Sequence, residues 1–134
     1  DIHMRQEFAL HRWDLIGDDD EGDALLGQPE LLEHSVGLLD HWLLARGLER
    51  DASVSDPFHA RIRCAGERDV VLTVENCVGS LSFATPLDGV DLIETDAAGR
   101  LLLIWGRQPA DSRRVLSTMP ADHLVRFCAL LSGF

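Results

Sequence analysis

At 134 residues, with 46% hydrophobic residues and a formal net charge of −11, the chain is sized for one domain whose core needs no disulfide or metal staple. That negative charge repels a phosphate backbone or an anionic bilayer surface, so neither nucleic acid nor a membrane is expected as a partner. No apolar run approaches the roughly 18 residues of a membrane span. No signal peptide is read at the start, and a cytoplasmic location is expected.

All twelve basic residues are Arg, a bias that fits a GC-rich, actinobacterial-type coding sequence. Cys64, Cys77 and Cys128 are odd in number and widely spaced, which predicts free thiols rather than a zinc knuckle or redox pair. Residues 1–3 precede Met4 and read as a cloning remnant.

The first predicted element is a helix over residues 5–17, with Phe8, Trp13, Leu15 and Ile16 as its apolar side and Gly17 as its stop. DDDEGD, residues 18–23, fails as a calcium loop, because positions six and twelve would be Asp23 and Pro29. It reads as a solvated linker. A longer helix is predicted from Pro29, with Leu32, Val36, Leu39 and Leu43 on one stripe, Trp42 beside it and Gly47 as the stop. Residues 49–57 read as a loop.

Period two then replaces period 3.6. Phe58, Ala60, Ile62 and Cys64 alternate with His59, Arg61 and Arg63. Val70, Leu72 and Val74 follow a turn at Gly66, and Leu81 and Phe83 follow another at residues 76–79. Residues 86–89 break the pattern before a fourth strand over 90–95. Connections this short predict antiparallel neighbours. Asp96 is placed to cap AAGRLLLIWGR, so apolar around Leu101 to Trp105 that it must be buried against a sheet. Residues 115–117 suit a short strand, and Pro120 opens a last helix facing inward through Leu124, Phe127, Cys128 and Leu131. The sum is an α+β architecture: a mostly antiparallel sheet of four to five strands with helices packed on it.

Two stretches carry chemistry together. EFALHRWDL, residues 7–15, sets Glu7 and His11 four apart, hence on one helix face. LLLIWGR, residues 101–107, ends in Trp105, Gly106 and Arg107. In their order and spacing these resemble the mycothiol-dependent maleylpyruvate isomerase family. That resemblance implies a C-terminal sterol-carrier-protein-like domain over residues 24–134. It makes residues 4–17 similar to the last helix of a DinB-like bundle. It implies Glu7 and His11 as ligands of zinc, Arg107 as a catalytic and carboxylate-binding residue, and mycothiol as cofactor. The rest of such a bundle, with its third ligand, lies outside this sequence.

The residues themselves leave alternatives open. Glu7 and His11 are two donors where catalytic zinc takes three, so a surface pair competes with a half-site completed by another chain. Arg107 is either a helix-end cation or a fork for an acidic group. His59, Arg61 and Arg63 are either a solvated sheet face or, with Trp105 and Arg107, a wall binding an anionic ligand. Glu30 and His34 repeat the spacing, with His41 two turns on, and read as a solvated flank. Hydrolase elbows and phosphate loops are absent. Three functions follow as expectations: binding of a hydrophobic or amphipathic small molecule enclosed between the sheet and the apolar 101–105 helix, with Arg107 reading an acidic group; metal-dependent isomerisation or thiol-cofactor transfer; or docking, through residues 5–16, of a homodimer mate or separate helical bundle.

Overall fold

The computed structural model describes residues 1–88 and 91–132, and of His41 and Trp42 the backbone only. The expected places of the Trp42 and His41 side chains, and of Val90 at a strand start, lie outside the described residues.

Helix α1 (Ile2–Ile16) begins earlier than predicted, with the Asp1 side chain accepting from the His3 amide. Its inward face is Gln6, Ala9 and Leu10, with Trp13 packed beside them. Of the predicted apolar side only Trp13 packs inward: Phe8 is 63% and Leu15 86% exposed, Ile16 is open, and so is Met4. At 3.6 residues per turn, positions 6, 9, 10 and 13 lie opposite 4, 8 and 15.

The acidic stretch is no linker. Its second half opens helix α2 (Asp20–Leu26), capped by Asp19, which accepts from the Gly22 amide at 2.7 Å. Acidic side chains suit that first turn because the helix dipole is positive there. Arg12 clasps Asp19 at 2.6 and 2.8 Å, and Trp13 Nε1 donates to Asp18 at 2.7 Å. Arg114 reaches Asp18, Asp23 and Asp96. Paired in this way, the carboxylates fasten α1 and α2 to the rest of the fold.

Helix α3 (Pro29–Leu38), a π-helical stretch (Leu39–Leu43) and α4 (Leu44–Arg50) follow without a break. Leu32, Val36, Leu39 and Leu43 are buried as the stripe predicts. Gly47 does not stop the helix; it is buried where α4 meets the last helix.

The sheet comprises β1 (Phe58–Arg63), β2 (Asp69–Glu75), β3 (Val78–Ala84), β4 (Leu92–Glu94) and β5 (Leu116–Ser117), in the order β3-β2-β1-β4-β5. Neighbours are antiparallel except β1 and β4, which are parallel with Ile62 beside Ile93. Short connections therefore predict the meander correctly but not the crossover after β3. Phe58, Ala60, Ile62, Val70, Leu72, Val74, Leu81 and Ile93 form the core face. Asp40 accepts the Leu81 amide at 2.6 Å, so a carboxylate covers part of the β3 edge.

Helix α5 (Ala97–Ile104) is capped by Asp96, which accepts from the Gly99 amide, and Leu101 to Ile104 are all buried, as their composition demands. Helix α6 (Ala121–Leu131) buries Phe127, Leu130 and Leu131. The three cysteines are unpaired. Among the described residues, no helix is long and apolar enough to cross a membrane. The α+β class, the mostly antiparallel five-stranded sheet and its helical cover are thus as expected.

One turn is strained. Asn76 and Cys77 join β2 to β3 with φ of 51° and 64°, the two-residue arrangement that favours Asn-Gly. A side chain at Cys77 costs about 1 kcal/mol there. Cys77→Gly is expected to raise stability by about that amount, read as a shift in the urea midpoint at unchanged slope.

Candidate functional site

The Trp-Gly-Arg stretch is a helix stop with a consequence for chemistry. Gly106 takes φ 68° after Trp105, its amide donates to Leu103 O, and the Arg107 amide donates to Leu102 O. This pair of bonds closes α5 in a Schellman turn, and the left-handed residue is glycine because a side chain is disfavoured there. The chain then reverses and sends Arg107 across to α1. Its Nε and Nη2 donate to the two carboxylate oxygens of Asp14 at 2.7 and 2.8 Å, and Nη1 donates to Trp105 O at 3.1 Å. Arg107 thus fills the helix-end role and also grips a carboxylate, which is the chain's own Asp14. The Arg107 fork holds the Asp14 carboxyl below its usual range, and Asp14 raises Arg107 in turn.

Asp14 also contacts His11 Nδ1 at 3.2 Å, and His11 Nε2 lies 3.5 Å from Glu7 Oε2. Glu7, His11, Asp14 and Arg107 therefore form one line of polar contacts along the exposed flank of α1. Beneath it, Trp105 Nε1 donates to the buried Ser35 hydroxyl at 2.9 Å, which also meets Leu31 O and Gln6 Oε1 at 2.7 and 2.6 Å. One hydroxyl proton cannot serve two acceptors. Turning the Gln6 amide by a half-turn lets its NH2 donate to Ser35 and leaves the proton for Leu31. That arrangement also gives Gln6 Nε2, otherwise buried without a partner, its acceptor.

These contacts border a cleft of about 410 Å³ at α1; a separate groove of about 380 Å³ lies between α4 and α6. The α1 cleft has an apolar floor of Leu10, Leu38, Leu43 and Trp105. Glu7, His11, Arg107 and His3 make its polar rim. Leu38 precedes the π-helical stretch and Leu43 is its last residue, so the widened turn shapes this wall.

Four residues singled out by sequence thus share the cleft: Glu7, His11, Trp105 and Arg107. His59, Arg61 and Arg63 lie elsewhere, on the outer sheet face. His59 meets Glu75 at 3.0 Å, and Arg61 and Arg63 both hold Asp69. His34 is no solvated flank: its Nε2 is buried without a partner and its ring lies 5.7 Å from that of His3. Asp14 carries no role that its sequence context marks, although its place three residues after His11 puts it on the same helix face. Ser35 and Gln6 carry no sequence signal.

Among the described residues, no group of three or more His, Cys, Asp or Glu side chains is placed to hold a metal. Glu7 and His11 supply two donors, and on their own they do not fit zinc.

No family model matches the chain, and no curated protein matches it in sequence. Among solved structures, the chain is similar to a protein titled "UbiJ-SCP2 Ubiquinone synthesis protein", at 16% identity and a TM-score of 0.49, over 78% of this chain and 93% of that one.

Proposed function

We propose that this chain is a small-molecule binding domain of sterol-carrier-like architecture, and that its ligand is amphipathic and sits in the cleft between α1, the π-helical stretch and Trp105. The observation that carries this reading is one concave site with four apolar side chains on its floor and ionisable groups on its rim. Its volume falls in the range that holds small organic ligands. A cavity between the sheet and α5 is not the place, because Leu101 to Ile104 are 0–1% exposed and pack into a continuous core.

Calorimetric titration of the purified protein with decanol tests it. Saturable binding is expected, and Leu38→Trp, which fills the cleft from a half-buried position, abolishes it while leaving the circular dichroism spectrum unchanged. Absence of saturable binding, or binding indifferent to Leu38→Trp, overturns the reading.

A second reading is favoured by the open stripe of Met4, Phe8, Leu15 and Ile16. A stripe of this kind on one helix face is what a partner helix covers. In that reading a second copy, or a separate bundle, docks on α1 and brings the further donor that zinc at Glu7 and His11 needs. Chemistry of the isomerase or mycothiol-transfer type belongs only to such a completed site. A concentration-independent monomer by sedimentation, without zinc uptake, overturns it.

A further inference from the structure

We infer that the head group this cleft takes is cationic, an amine carried on an apolar chain. The inference rests on the binding reading above and deepens it.

Charge bookkeeping at the rim decides the sign. Arg107 is the cation a ligand acid would seek, yet both oxygens of Asp14 already fill its fork at 2.7 and 2.8 Å. Together the two groups are neutral. An acidic ligand would have to displace a carboxylate tethered beside the guanidinium, and tethering gives that competitor a high effective concentration. Glu7 is different. It lines the same cleft, and its carboxylate meets the His11 ring at 3.5 Å and feels the Arg107 charge through space, while the Arg107 fork itself is held by Asp14. Counted over Arg107, Asp14 and Glu7, the rim therefore carries a net charge of one negative unit. The formal charge of −11 on the whole chain adds a field of the same sign, which concentrates cations and repels anions. An ammonium donates charge-assisted hydrogen bonds to a carboxylate. Its alkyl body would lie along Leu10, Leu38 and Leu43.

Three probes of equal chain length separate the alternatives: decylamine, decanol and decanoate, titrated at mildly alkaline pH into the wild type and Glu7→Gln. In the wild type, decylamine is expected to bind about tenfold more tightly than decanol, the size of one charge-assisted bond, with decanoate weakest. Glu7→Gln should bring decylamine down to the level of decanol and leave decanol unchanged. Leu38→Trp should remove all three. Equal binding of amine and alcohol overturns the inference and leaves the cleft standing as a binding site. Tightest binding of decanoate overturns it in favour of Arg107 as an acid reader. An amine preference that survives Glu7→Gln overturns the assignment to this carboxylate. Failure of all three probes overturns both the inference and the binding reading.

Discussion

Gly47→Ala is expected to destabilise the fold by about 3 kcal/mol or more, although the same change in an exposed helix is favourable. Gly47 lies inside α4, and an added Cβ would come 2.0 Å from Leu130 O and 2.8 Å from Leu130 C. Both are backbone atoms of α6, so no rotamer change relieves the clash. The helices must part by about an ångström, which a close-packed interior does not absorb. Phe127, Leu130 and Leu131 sit on the moving helix and are all buried, so their core contacts loosen together. Gly37→Ala, in α3, is the control. Nothing lies within 4 Å of its added Cβ, and it is expected to stabilise by up to about 1 kcal/mol. Urea unfolding of the two variants should therefore move the midpoint in opposite directions. Equal shifts would mean that α4 and α6 are not packed in contact at Gly47.

Gly47 also shows why a sequence mislays such features. A glycine near the end of an apolar stripe reads as a helix stop, and a glycine under a crossing helix looks the same. What separates them is Leu130, which lies far along the chain. The same holds for DDDEGD. Six residues with five carboxylates read as solvated until Arg12 and Arg114 are known to pair with them. Helix α1 differs for another reason: its inward face mixes Gln6 and Ala9 with Leu10 and Trp13, while Met4, Phe8 and Leu15 point outward. By contrast, the strands β1 to β3 are legible because period two is local, and α5 is legible because a helix apolar all round has only one place to go. At the cleft, Glu7, His11, Trp105 and Arg107 are readable as chemistry-bearing types in motifs. That Arg107 is spent on Asp14 depends on a contact between the two ends of the fold, and no spacing rule contains it.

The largest electrostatic effect is expected from Asp69→Asn, a loss of about 3 kcal/mol or more. Asp69 is 0% exposed and opens β2. Arg63 donates to it through Nε and Nη2, both at 3.0 Å, and Arg61 through Nη1 at 3.2 Å. Burial pushes the Asp69 carboxyl up, but hydrogen bonds from Arg63 and Arg61 outweigh it and hold it below its usual range. The same two guanidiniums reach Thr85 O and Leu87 O, so the carboxylate anchors the segment that leaves β3 for β4. Asparagine keeps the shape and removes the charge, leaving two cations only 15% and 17% exposed with no buried carboxylate between them, and only the exposed Asp88, 3.0 Å from Arg63, as an ion-pair partner. The cost is that of under-compensated buried charge more than of a lost contact. Adding Arg63→Met to Asp69→Asn is therefore expected to recover part of the loss, a coupling that a double-mutant cycle measures directly. The pH dependence has a definite sign. A carboxyl lowered in the folded state contributes stability fully above its unfolded value of 3.8 and loses it as pH falls through the folded value. The gap between wild type and Asp69→Asn should accordingly be constant at neutral pH and shrink in acid below that value. A gap that persists unchanged in acid would assign the effect to the amide's geometry and not to charge.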